Sequence, residues 1–72
     1  MRLFGSFLRA RASKAYAGWR EESTAVRAAY ERWRDADRDV KAFTWEAYLA
    51  ALDREERAAD EYREHADRFA PV

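Results

Sequence analysis

The chain has 72 residues, 14 of them basic and 14 acidic, and no cysteine. This length gives one domain with a modest core, of the kind that small folds usually supplement with a disulfide, a metal or a partner chain. The lack of cysteine excludes disulfides and thiolate metal sites, fits a reducing compartment and leaves self-association as the natural supplement.

Residues 1–20 contain Arg2, Arg9, Arg11, Lys14 and Arg20 and no acid, whereas residues 21–72 hold all 14 acids against nine bases. A basic segment of this kind either serves a polyanion or membrane surface, or packs on its own acidic body. Ser6 is placed to cap a short helix from Phe7, with Leu3, Phe4, Phe7, Leu8, Ala15 and Trp19 on its apolar side. Gly18 is expected to bend the chain after it, because Glu21 and Glu22 suit the first turn of a new helix. Residues 1–18 thus read as a basic amphipathic segment, less ordered than the remainder. The opening is too short for a signal-peptide apolar region. Its acid-free, Arg- and Ser-containing start resembles a transit peptide, but the Arg- and Ala-rich bias continues along the chain, as in GC-rich bacterial genomes. No apolar run approaches the ~20 residues needed to span a bilayer. A cytoplasmic location is expected.

The strongest signal is spacing. Tyr16, Trp19, Ser23, Val26, Tyr30, Trp33, Asp37 and Val40 follow one another by alternate steps of three and four, which keeps them on one helical stripe. Trp45, Tyr48, Leu52, Glu55, Ala59, Tyr62, Ala66 and Phe69 form a second stripe with the same alternation. The step from Val40 to Trp45 is five, so the stripes are out of phase and the helix should break near Lys41–Thr44. Thr44 then serves as N-cap, with Glu46 in the first turn and a hydrophobic staple between Phe43 and Tyr48. Arg38 and Lys41 sit where a helix C-terminus favours cations. Arg68 ahead of Pro71, the only proline, marks the far end.

The expected fold is all-α: an antiparallel hairpin of helices at about 19–40 and 45–69, joined by a short loop. With a short N-terminal helix it would form a single domain over 1–72, as a three-helix bundle or half of a dimeric one. Asp53 with Arg57 and Glu64 with Arg68 are i,i+4 pairs for its outer face.

Tyr16-x-x-Trp19 recurs fourteen residues on as Tyr30-x-x-Trp33, and Tyr48 recurs as Tyr62. Two heptads is a packing period, so the rings should fill the hairpin seam. A two-helix seam cannot enclose so many large rings, and Tyr and Trp are favoured interface anchors. Tyr16, Trp19, Val26, Tyr30, Trp33, Trp45, Tyr48, Leu52, Tyr62 and Phe69 are therefore the expected core or protein interface. Ser23, Asp37 and Glu55 interrupt the stripes. Asp37, near the loop, should stay wet, and Glu55 is the better prospect for a buried polar contact.

Catalytic chemistry finds no support. His65 has Tyr62 three residues before it, which breaks the Glu-x-x-His pattern of bundle metal sites, and it reads as a solvated side chain. No thiol, nucleophile–base spacing or glycine-rich phosphate loop occurs. Neither a cofactor nor a small-molecule substrate is indicated. The expectation is a non-enzymatic helical protein that acts by contact with itself or another protein, as an adaptor, small subunit or homo-oligomer. The alternative is a peripheral binder of anionic membrane surface through Arg2, Arg9, Arg11, Lys14 and Arg20. Nucleic acid is a weaker version of that alternative, because an acidic body repels phosphate.

Overall fold

Two long antiparallel helices account for almost all of the computed structural model, which describes the backbone of residues 2–69 and the side chains of residues 9–68. α1 spans Arg2–Asp35 and α2 spans Lys41–Phe69, and a single 3-10 turn over Arg38–Val40 leads into α2. The sequence permits such lengths because no proline precedes position 71 and glycine occurs only at 5 and 18.

The expected bend at Gly18 is absent. α1 runs unbroken through it, so no separate short N-terminal helix precedes the hairpin. One helical glycine costs about 1 kcal/mol relative to alanine, too little to stop a helix flanked on both sides by good formers. Glu22 does not start a helix. It reaches across the hairpin to Arg54, at 3.3 Å. The proposed Ser6 cap and the side chains of Leu3, Phe4, Phe7 and Leu8 lie outside the described side chains.

The reversal also differs from expectation. It falls at Ala36–Asp37, before Lys41–Thr44. Asp37 is extended (φ −68°, ψ 159°), and the chain is helical again by Lys41 (φ −61°, ψ −43°). The Ala36 amide donates to the Trp33 carbonyl at 3.3 Å, and the Val40 amide to that of Asp37 at 3.1 Å. Thr44 is not an N-cap. It lies inside α2, where its hydroxyl donates back to the carbonyls of Lys41 (3.0 Å) and Val40 (3.2 Å). Phe43 is 76% exposed, so the staple with Tyr48 does not form. The phase shift was real, but Asp37 and Val40 are exposed and do not belong to the first stripe. The seam edge of α2 begins instead with two polar residues, the partly covered Lys41 and Thr44. Lys41 donates from Nζ to the Arg34 carbonyl at 3.1 Å, and so satisfies an orphan acceptor at the end of α1. The same ammonium lies 5.4 Å from the Trp33 ring centroid.

The hairpin is long and thin, 58 × 15 × 13 Å, with a radius of gyration of 16.6 Å. A compact chain of this size would have about 11 Å. Its accessible area of 6069 Å² exceeds by about 1,400 Å² that of a typical folded monomer of 8.5 kDa. Among the described residues only Ala29 and Ala51 are buried, at 2% and 1% exposure. No helix among them is long and apolar enough to cross a membrane.

Candidate interaction surface

Three columns of side chains, each with a seven-residue repeat, face the seam from α1. Ala12, Trp19, Val26 and Trp33 form the middle column. Ala15, Glu22 and Ala29 lie on one edge, and Tyr16, Ser23 and Tyr30 on the other. In α2 the middle column is Tyr48, Glu55 and Tyr62. Thr44, Ala51, Ala58 and His65 lie on the alanine edge, and Trp45, Leu52, Ala59 and Ala66 on the ring edge. Among the described residues burial is near complete only on the alanine edge, at Ala29 and Ala51. On the opposite edge the rings are too large to be covered, and Tyr16, Tyr30 and Trp45 remain 45%, 41% and 39% exposed.

The ring contacts form two copies of one arrangement. Near the open end, Trp19 stacks on Tyr62 (5.7 Å between centroids, 12° between planes) and Tyr16 meets Tyr62 edge-on (5.3 Å, 60°). Near the turn, Trp33 stacks on Tyr48 (6.3 Å, 10°) and Tyr30 meets Tyr48 edge-on (5.7 Å, 60°). Trp45 joins the second cluster, 5.0 Å from Trp33 and 5.6 Å from Tyr48. Edge-on and offset pairs of this kind add about 0.5–1.5 kcal/mol each beyond the area they bury. The fourteen-residue sequence repeat is therefore a repeat of ring geometry, about 21 Å apart along the hairpin.

Midway between the clusters Ser23 donates to Glu55 Oε2 at 2.8 Å, partly buried. These residues occupy the same columns as the Tyr16–Tyr62 and Tyr30–Tyr48 pairs. The edge thus presents rungs of ring, polar pair and ring at equal seven-residue spacing, with Val26 and Leu52 beside the polar rung. Glu55 makes the inward polar contact, and Asp37 is exposed beside the turn.

Two shallow grooves flank Tyr62. One, of about 230 Å³, is lined by Trp19, Ala59, Tyr62, Arg63 and Ala66. The other, of about 370 Å³, is lined by Arg9, Ala12, Ser13, Tyr16 and Tyr62. The first opens where the ring edge of α2 tapers from Trp45 through Leu52 to Ala59 and Ala66. Leu49, adjoining Trp45 and Leu52 by helical spacing, is 41% exposed.

The alanine edge carries a polar groove of about 550 Å³, with Gly18 and Ala58 among its lining and Arg11, Lys14, Glu22, Arg54, Glu61 and His65 around them. His65 is not the solvated side chain expected. Its side chain is 16% exposed and lies 3.9 Å from Glu61. Among the described residues no three His, Asp or Glu side chains are grouped to hold a metal.

Of the expected anionic-surface residues, Arg11 and Lys14 line this groove alongside Glu21, Glu22 and Glu61. Arg9 lines a groove on the ring edge and Arg20 is exposed. The side chain of Arg2 lies outside the described residues. The pairing of Tyr16 with Tyr62 sets residues 9–20 beside residues 58–69, which contain Asp60, Glu61, Glu64 and Asp67. The same stretch also carries Arg63 and Arg68, paired with Asp60 and Glu64, and Glu61 is the acid of α2 that lines a groove with Arg11 and Lys14.

Of the expected core or interface residues, Tyr16, Trp19, Tyr30, Trp33, Trp45, Tyr48 and Tyr62 form the two clusters, with Val26 and Leu52 half-buried between them. The side chain of Phe69 lies outside the described residues. Sequence reasoning missed the two edges, tight and open. Their signal was the alanines of one seven-residue column beside the rings of the next. The expected outer pairs form, Arg57–Asp53 at 3.7 Å and Arg68–Glu64 at 2.8 Å, all well exposed. Exposed Arg34 is raised above the usual guanidinium value by its hydrogen bond to Asp35. Comparison of the chain with known families, with curated proteins and with solved structures returns no match.

Proposed function

We propose that this protein acts by protein–protein contact through the ring edge of its hairpin, without catalysis. One observation supports the reading above the others. Three large aromatic side chains, Tyr16, Tyr30 and Trp45, lie about 40% exposed along a single edge of a hairpin that fully buries only two alanines among the described residues. Large aromatic side chains left this exposed along one edge are a feature of surfaces that a partner covers. Tyr and Trp anchored by neighbouring rings also lose little side-chain freedom when a partner docks.

The test is a photo-crosslinking amino acid at Leu49, on the ring edge, compared with one at Arg57 on the outer surface. A discrete adduct at Leu49 and none at Arg57 is expected in cells. Equal or absent adducts at both positions would remove the ring edge as a contact surface. The competing anionic-surface reading draws on the basic N-terminal segment, of which Arg11 and Lys14 share a groove with Glu61 of α2.

A further inference from the structure

Resting on that reading, we infer that the occupant of the ring edge is a second copy of this chain, seated antiparallel, with Trp45 of each copy in the groove beside Tyr62 of the other. Three observations lead there, and the first is area. Two separate hairpins expose about 12,100 Å², whereas a compact protein of about 17 kDa exposes about 7,700 Å². One 58 × 15 Å edge cannot close all of that gap, but its footprint of about 870 Å² on each copy reaches the size of a standard stable interface.

The second observation is the order of the rungs. Ring pair, polar pair and ring pair recur at equal spacing, so the order of the rungs, though not the taper beside them, is the same from either end. A two-fold axis through the Ser23–Glu55 rung lays the open-end cluster of one copy on the turn-end cluster of the other, and does so twice, at the cost of bringing the two Glu55 carboxylates to the same level. A closed two-fold dimer requires such a self-complementary surface.

The third is shape. Along α2, Trp45 stands ten residues from Glu55 towards the turn, and Ala66 stands eleven residues from it in the other direction. The same axis therefore brings the projecting Trp45 of one copy to the groove that Ala59 and Ala66 leave open on the other. A parallel arrangement would set Trp45 against Trp45 and leave both grooves empty.

Sedimentation of the full chain tests the occupant, and spin labels test the orientation. The dimer mass is expected at micromolar concentration. Ala66→Trp, which fills the groove from within, should return the monomer mass with its helical circular dichroism intact, and Trp45→Ala should weaken association at least tenfold. Labels on Ala10→Cys should lie about 39 Å apart along the axis and those on Thr24→Cys about 3 Å, before the common lateral spacing is added. Equal distances at the two positions would mean a parallel dimer and overturn the arrangement. A dimer that survives Ala66→Trp places the interface elsewhere and also overturns it. A monomer at every concentration removes the second copy as occupant. In that case a heavier adduct from Leu49 in cells would leave the docking reading standing, and no adduct would end both.

Discussion

Replacing Gly18 by alanine should make the protein more stable. Gly18 lies in the middle of α1, where glycine costs about 0.8–1 kcal/mol relative to alanine through backbone entropy. A Cβ built at this position meets nothing within 4 Å, so no packing loss opposes the gain. The added methyl group would project over the polar groove that Gly18 helps to line. For a domain of 60–100 residues, 1 kcal/mol corresponds to a rise of about 4–8 °C in melting temperature. Thermal melts followed by far-ultraviolet circular dichroism, at matched protein concentration, read this directly. A lower melting temperature would refute the reasoning in one of two ways: either α1 is not continuous through Gly18 in solution, or something approaches the alanine edge closely enough to forbid a methyl group. Because the inferred dimer uses the opposite edge, the gain should appear in monomer and dimer alike.

Trp33→Ala should cost roughly 3–5 kcal/mol, since Trp33 touches Tyr30, Trp45 and Tyr48 and lies beneath Lys41; an unchanged urea midpoint would remove it from the packed cluster. Ser23→Ala should cost about 1–2 kcal/mol because Glu55 is left half-buried without its donor, while Ser23→Ala combined with Glu55→Leu should recover most of that loss. Equal losses in the single and double variants would show that the pair is not coupled. Lys41→Met should cost about 0.5–1 kcal/mol through the lost contacts with the Arg34 carbonyl and the Trp33 face, and a melting curve superimposable on that of the parent would refute it. The chain should fail to float with anionic liposomes at physiological salt, and flotation abolished by Arg11→Glu with Lys14→Glu would instead favour the surface-binding reading.

The hairpin was legible because two stripes of different phase need two helices, and the ring repeat was legible because fourteen residues is a whole number of heptads. The inward polar contact of Glu55 was legible from its place in the second stripe, but its partner, Ser23, was not. The reversal was harder to place. Asp37 and Val40 continue the first stripe by spacing alone, and nothing local says that they hang free. Lys41 and Thr44 lead into the seam of α2, yet polar residues leave no mark on a hydrophobic pattern. At Gly18 a weak helix penalty coincides with an equally weak preference of Glu21 and Glu22 for a first turn, and the continuous packing of α1 overrides both. The exposure of His65 could not be read from sequence either, because its cover comes from a groove shared with the other helix.

The polar rung has a further consequence for how the hairpin folds. Two helices with heptad columns have an obvious error available to them, a slip of seven residues, which would set a tyrosine of each helix against the polar residue of the other. In either slipped form Glu55 would face a tyrosine and Ser23 would lose its acceptor, so the carboxylate would be dehydrated with no hydroxyl to meet it. The penalty falls on the misaligned states and spares the native one. The one break in the aromatic series therefore works as an alignment key: it gives up a little apolar contact at the centre so that neighbouring zipper alignments are not kinetic traps of nearly equal energy.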